Sequence, residues 1–441
     1  MGRIALGLLI IISFLLLSCR KDEPPCLTCP PPNRQQLRLD TLFVDPTQIW
    51  LRVYTIDSTN VGLIELYRDS VPILAGMVSR NEITTVDSGL LPNFAYNYRA
   101  YRWENGIRVD STALLVVRTM DTTSHNFTWE MDTLGDGASS VLNDLAIIND
   151  TLVYAVGKIY LKDSTGNFDP LPYNLAEWNG KRWALQRATV YYQGNPAVPP
   201  LEAIFLFSET DMWVTSGFPI HGDGTRWTLY RLPDLGINAS VSRMWGTSSM
   251  NMYFVGTNGS VVRYNGGTWQ NIQSGTSLPI QDIWGAIDKT GNPHILAVAS
   301  NKFFNEGKAV LEIQGSIVTS YPDTGLTWSL SGIWFQHKEI KYVAGGGLFK
   351  RTESQHNSPW VDFHQGLTTY YTDAIRGQNS NDIVVVGAYG VVLHYNGVTW
   401  KNFQSQTYLD YGAYYAVAIR GNLVVAVGEN NARAVALIGR R

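Results

Sequence analysis

"NFTWEMDT" (Asn126–Thr133) decides the fold, because it reads as the end of a repeat that has not yet begun. It matches "GTWQNIQS" (Gly267–Ser274) and "VTWKNFQS" (Val398–Ser405), each of which closes a repeat unit. The units are clearest in "VGTNGSVVRYNGGTW" (Val255–Trp269) and "VGAYGVVLHYNGVTW" (Val386–Trp400), which agree at nine of fifteen positions. The order is apolar strand, glycine turn, strand, Asn-Gly turn, Trp-bearing strand. Asn-Gly between alternating apolar residues signals a tight hairpin, since both central residues need positive φ. "EWNGKRW" (Glu177–Trp183) and "HGDGTRW" (His221–Trp227) are further copies.

A second marker is an apolar strand that ends at glycine: "VYAVG" (Val153–Gly157), "MYFVG" (Met252–Gly256), "KYVAG" (Lys341–Gly345), "IVVVG" (Ile383–Gly387) and "VVAVG" (Val424–Gly428), with looser copies at Met212–Gly217 and Ile295–Ala299. Another apolar strand precedes each, as in "SRMWG" (Ser242–Gly246) and "QDIWG" (Gln281–Gly285). Four strands in about 40–45 residues are the period and content of a β-propeller blade. Complete units start near Ser139, Pro199, Ala239, Leu278, Trp328 and Thr369. A seventh starts near Asp410 and supplies three strands before the chain stops. The missing Trp-bearing strand is Asn126–Thr133. Pairing it into the last blade closes the ring and removes two exposed sheet edges. Trp129 is then expected to sit where Trp183, Trp227, Trp269 and Trp400 sit in their own blades.

The units resemble the Trp-Gly…Val-Gly…Tyr-Asn-Gly-x-x-Trp repeats of secreted bacterial propellers and lack the Gly-His…Trp-Asp signature of WD40 repeats. The resemblance covers residues 121–441 and implies a seven-bladed propeller. Two segments depart from it, "LKDSTGNFDPLP" (Leu161–Pro172) and "RATVYYQGNPAVPP" (Arg187–Pro200). Insertions in such arrays lie on one face and often build the binding surface. Asp163, Asp169, Tyr191 and Tyr192 are the candidate binding residues. The acidic stretch Asp163–Asp169 also has oxygen ligands at alternate positions, but it lacks the Gly at position six and the distal Glu of a calcium loop.

The chain opens with Arg3, an apolar run Ile4–Leu17 and "LLSC" (Leu16–Cys19). The run is short for a membrane span and has signal-peptide form. "LLSC" resembles the bacterial lipobox, which implies that residues 1–18 are cleaved and Cys19 is lipidated. "RKDE" (Arg20–Glu23) resembles a surface-export signal of Gram-negative lipoproteins. Residues 19–33 form a Pro-rich tether, stiff and extended. Cys26 and Cys29 lie in it without the βαβ context of a redox motif or the four ligands of a zinc site, and are candidates for a local disulfide. Expected localisation is the cell envelope of a Gram-negative-type bacterium, at the outer membrane.

Residues 34–120 alternate apolar and polar with sandwich-like turn spacing. "LLPNFAYNYRAY" (Leu90–Tyr101) resembles the fibronectin type III tyrosine corner, matched at Leu90, Pro92 and Tyr96. Trp50 in "QIWLRVYTI" (Gln48–Ile56) is expected to anchor the core of this domain. The whole chain is therefore expected to be all-β: a fibronectin-like sandwich followed by a closed seven-bladed propeller.

The net charge of −3 argues against nucleic acid, which asks for a basic face. The seven His show no metal-ligand spacing, and His394 takes the strand position of Arg263 in the matching unit. No cofactor, metal or catalytic residue is assigned. "DTGLTW" (Asp323–Trp328) resembles a sialidase Asp-box but falls between units. Asp-Ser/Thr followed by an aliphatic residue or Thr recurs from Asp40 to Asp163 and resembles an O-glycosylation acceptor. The expected function is non-catalytic binding of a protein or glycan; the alternatives are a sialidase-like glycan-active enzyme and a structural surface protein. Carboxylates and arginines clustered at the channel mouth would favour the enzyme, and apolar and neutral polar groups there would favour the binder.

Overall fold

The computed structural model describes residues 36–56, 62–77, 82–353 and 358–441. Cys19, Cys26, Cys29, the signal and the tether lie outside the described residues. Regular structure is almost entirely strand, with single helical turns such as Gln404–Thr407. Among the described residues no helix is long and apolar enough to cross a membrane.

The first domain has eight strands: β1 (Leu37–Val44), β2 (Gln48–Thr55), β3 (Leu63–Arg68), β4 (Val71–Met77), β5 (Glu82–Ser88), β6 (Ala95–Glu104), β7 (Ile107–Ser111) and β8 (Leu115–Arg118). They form a β1-β2-β5 sheet and a β4-β3-β6-β7 sheet, with β8 adding to β6. Strand alternation sends Ile49, Leu51 and Val53 of β2 into one core with Ile64, Leu66, Tyr98 and Ala100 from the other sheet. The Tyr96 hydroxyl accepts the Leu91 N–H at 2.9 Å and fastens the turn into β6. Trp50 does not anchor this core. Period two places it on the opposite side of β2, where it packs with Phe43 against Trp334, Ile340 and Tyr342 of the second domain.

The second domain is seven four-stranded antiparallel sheets, the blades of a propeller. Their innermost strands begin at Val141, Ala203, Val241, Ile280, Leu330, Thr372 and Gly412, a few residues after the starts read from the sequence. The seventh sheet joins Gly412–Arg420, Leu423–Asn430 and Arg433–Arg440 to β9 (Thr128–Leu134), with Trp129 opposite Gly439. The ring is therefore closed by a strand from ahead of the first blade. Trp129 holds the register of its counterparts: Trp183 faces Trp178, Trp227 faces Gly222, Trp269 faces Tyr264 and Trp400 faces Tyr395. At Gly222 and Gly439 the indole lies 2.4 and 2.3 Å from where a Cβ would stand, so only glycine admits it. Elsewhere an aromatic partner packs against the Trp, as Tyr395 stacks on Trp400.

Polar groups fasten the closing segment. His125 Nδ1 lies 2.7 Å from His394 Nδ1, and His394 Nε2 lies 2.7 Å from Asp382. The C-terminal Arg441 pairs with the same carboxylate. Burial opposes the Asp382 charge, but hydrogen bonds from His394 and Arg441 outweigh it and hold the pKa below the usual value. Burial first, then neighbouring His394, Lys401 and Arg441, lowers the His125 pKa to about 4. The strand position read for His394 is correct, but its side chain is wholly buried and belongs to this latch.

The first domain rests on one end of the propeller. Phe43 meets the His337 ring at 4.6 Å, Pro46 lies over Gly397, and Asn381 donates to the Asp121 carbonyl at 2.8 Å. His337 ends the innermost strand of blade five, and Asn381 and Gly397 occupy the short turns that join first to second and third to fourth strands in blade six.

Candidate binding face

The other end carries the loops from second to third strand and from each blade to the next, so every innermost strand enters the channel there. Six of the seven innermost strands bulge close to that entry, at Asn143, Ser242, Gln281, Ser331, Asp373 and Tyr415. A bulge frees one residue from the ladder and re-aims its side chain. The freed residues, with Glu202 of blade two, Arg243 and Lys302, line a mouth of ≈ 350 Å³.

The glycine that ends each second strand belongs to this bulge. A Cβ at Gly157, Gly256, Gly345, Gly387 or Gly428 would stand 1.9–2.2 Å from the carbonyl oxygen two residues ahead of the bulged position. The repeat marker thus encodes a close backbone approach, which in turn builds the mouth. Blade four makes the same bulge with Ala299 in place of the glycine.

Below the mouth the channel narrows to a cavity of ≈ 220 Å³ bearing Asp144, Arg243, Asp282 and Arg376. Arg376 donates twice to Asp282, at 2.8 and 2.9 Å. Arg243 donates to the Glu202 and Ser242 carbonyls, both at 3.0 Å. Asp144 accepts the Ile204 N–H at 3.0 Å, and burial raises its pKa despite Arg243 nearby. Burial likewise raises Asp373, against the opposing pull of Lys302. Mouth and cavity together are therefore charged rather than neutral, the arrangement expected to favour the enzyme, but most of the carboxylates are spoken for: Asp282 by Arg376, Asp373 by Lys302, and Glu202 by the Gly217 N–H.

Around the mouth stands a rim of aromatic side chains. Phe168 and the Tyr191/Tyr192 pair come from the two insertions of blade one. Phe303 and Phe304 come from blade four, and Trp328, Tyr370, Tyr389, Tyr408 and Tyr411 from blades four to six and their connections. Every strongly exposed aromatic of the propeller is on this face. The exposed large apolar residues in the turns of the docked end are Met250, Ile287, Ile317 and Val398, none of them aromatic.

The four binding residues read from the sequence divide. Tyr191 is 68% exposed at the tip of the hairpin Val190–Tyr192/Asn195–Ala197, and Tyr192 lies under the Arg231 guanidinium at 4.6 Å. Asp163 accepts from Thr165 and Asn167 of its own loop. Asp288 makes the same bonds in "DKTGN" (Asp288–Asn292), so Asp163 serves a turn. Asp169 pairs with Arg187 and joins the two insertions. Among the described residues no cluster of three or more His, Cys, Asp or Glu could hold a metal ion. The mouth residues escaped sequence reading because a single polar residue at the start of an apolar strand looks like ordinary strand polarity; the available signal is its recurrence two positions ahead of one large apolar residue (Leu145, Met244, Ile283, Ile333, Ile375, Val417).

No protein-family model and no curated protein sequence matches the chain. Solved structures do. That described as YCF48 bound to D1 peptide is 14% identical with a TM-score of 0.54, covering 73% of this chain and 98% of that one. The WD40 propeller domain of Doa1 is 13% identical with a TM-score of 0.49, covering 72% and 98%. A catalytically inactive virginiamycin B lyase from Staphylococcus aureus with quinupristin is 12% identical with a TM-score of 0.46, covering 71% and 99%. The chain shares the fold of the first of these, the β-propeller already evident in its seven four-stranded sheets.

Proposed function

We propose that the protein is a cell-envelope binding module. Cys19 carries the lipid anchor at the outer membrane, residues 19–33 space it, and a fibronectin type III-like domain holds the propeller with its aromatic face outward to bind a protein or glycan. The observation that carries this reading is the segregation of exposed aromatics to the end opposite the docked domain. Large rigid rings around a polar centre suit both protein hot spots and sugar stacking. The Tyr96 hydrogen bond and the two facing sheets support the fibronectin-like reading of the first domain. A solved structure of similar fold holds a peptide, which agrees with protein binding.

The test is capture by the mature chain on a glycan array and from envelope extract, with Tyr191→Ala and Phe304→Ala as comparators. Retention without turnover, weakened in both variants, is expected; product release would overturn the reading. Cys19→Ala is expected to move the protein to the soluble fraction, and continued membrane retention would remove the anchor from the proposal. The second reading, a glycan-active enzyme, rests on Asp144, a carboxyl of raised pKa beside Arg243 in the channel.

A further inference from the structure

Lys302 is a charged side chain in an unusual place. It belongs to the blade-four loop Asn301–Gly307, which reaches past blade five to the entry of blade six. There its ammonium forms an ion pair with Asp373, whose side chain is only 5% exposed. Three rings surround the same ammonium, with centroids at 5.3 Å for Phe303 and 5.6 Å for both Tyr371 and Tyr415. A carboxylate at the base and aromatic faces on the sides make a receptor for an alkylammonium ion.

The loop that delivers Lys302 is strained, and the cage is open to solvent. Phe303 has φ +68°, a conformation that bulky L-residues rarely adopt, and its ring packs on Tyr371 at 4.8 Å. Lys302 itself is a third exposed, so the cage opens to solvent from the loop side. Phe303 and Phe304 are 69% and 66% exposed beside it. The face around the cage carries more carboxylates than cations in its loops, among them Asp136, Asp323 and Asp410, so its field favours a positively charged partner.

Building on the binding-face reading, we infer that the Asp373–Tyr371–Tyr415–Phe303 cage receives a cationic side chain of the partner, a lysine or another alkylammonium group on a peptide. Lys302 is the chain's own competitor for that site. The partner's ammonium takes the Asp373 carboxylate as Lys302 swings into solvent, and the partner backbone lies across the exposed Phe303 and Phe304. An internal competitor lowers the apparent affinity by the fraction of time the cage is filled. It thereby sets a threshold that a lone lysine does not pass and that a peptide with additional rim contacts does.

The experiment titrates the mature chain with a tetralysine peptide, followed by calorimetry and by NMR of the tyrosine rings. It is run at pH 8, which favours the ionised form of Asp373 more than a lower pH does. Lys302→Met is expected to bind the peptide at least about tenfold more tightly than the wild type, and Lys302→Arg to stay near wild type. Lys302→Met/Asp373→Asn is expected to lose the gain, and a peptide acetylated on its side-chain amines to bind none of the proteins. Thermal unfolding of each variant establishes that it is folded. Equal affinity of wild type and Lys302→Met, equal affinity of the single and double variants, or no binding by any of them would overturn the inference. If the rim variants still lose capture of a neutral glycan or uncharged peptide, the binding face stands and only its cationic partner falls; if they lose nothing, both fall.

Discussion

The two ends of the propeller are made from the same repeats and treat their aromatic residues in opposite ways. At the docked end Phe43 and Trp50 of the first domain are buried against Trp334, Ile340 and Tyr342. Asp45 is buried in the same interface, near Lys350. At the entry end Tyr411 is 77% exposed and Tyr191 68%. The turns of the docked end are mostly tight hairpins, whereas the entry end carries the long loops. The difference teaches that exposed rings here are not the residue of poor packing. Among the described residues, a chain that leaves no strongly exposed aromatic in the turns of one end keeps ten in water at the other, and exposed apolar groups gathered on one face mark contact surfaces.

The comparison breaks most completely if the ring opens, since both faces exist only on a closed ring. Deleting residues 121–134 leaves the Arg433–Arg440 strand as a bare edge and uncovers Val435 and Leu437. The propeller is expected to lose its cooperative thermal transition or to unfold at least ~10 °C lower, as read by calorimetry. An unchanged transition would mean that β9 contributes little.

Next in size is a paired substitution across the two ends. Trp50→Ala is expected to cost about 3–4 kcal/mol in denaturant unfolding, by loss of a buried indole from the interface. Phe304→Ala is expected to stay within ~0.5 kcal/mol, because its ring is already in water. Similar costs at both sites would erase the contrast.

Protonation separates the docked face from the closing latch. Burial raises the Asp45 pKa to about 6, with Lys350 pulling the other way. Its contribution to docking is complete below the unfolded value near 3.8 and is lost as pH rises through about 6, on the order of 3 kcal/mol. His125 runs oppositely: with its pKa lowered to about 4, its contribution is complete above pH 6.5 and is lost as pH falls through about 4. Between pH 4 and 6 the two slopes oppose each other and largely cancel in the wild type; Asp45→Asn is expected to unmask stability that rises with pH, and His125→Asn stability that falls with it. If Asp45→Asn leaves the profile unchanged, the docked face does not bury that charge.

The candidate face was only partly legible in the residues. The insertions at Leu161–Pro172 and Arg187–Pro200 lie at the end of the propeller that carries the exposed rings, and Tyr191 and Tyr192 stand on its rim. Asp163 and Asp169 read as candidate binding residues because acidic residues in loops look free, but turn hydrogen bonds and the Arg187 pair occupy them. Phe303 and Phe304 carry no repeat signal, and their exposure depends on a loop path that spacing does not encode.

What the sequence by itself determined is local and periodic: four strands per unit, the Asn-Gly hairpins, the glycine that lets a strand approach a bulge, and the orphan strand that matches the blade lacking one. These are properties of neighbouring residues and of backbone pairing, so they survive in one dimension. What only the tertiary structure decided is which side chains meet across the ring. His125 reaches His394 over 269 residues, Lys302 crosses a whole blade to Asp373, and Trp50 leaves its own domain's core for the next. Such contacts are set by closure and docking of rigid sheets, and no periodicity in the chain records them.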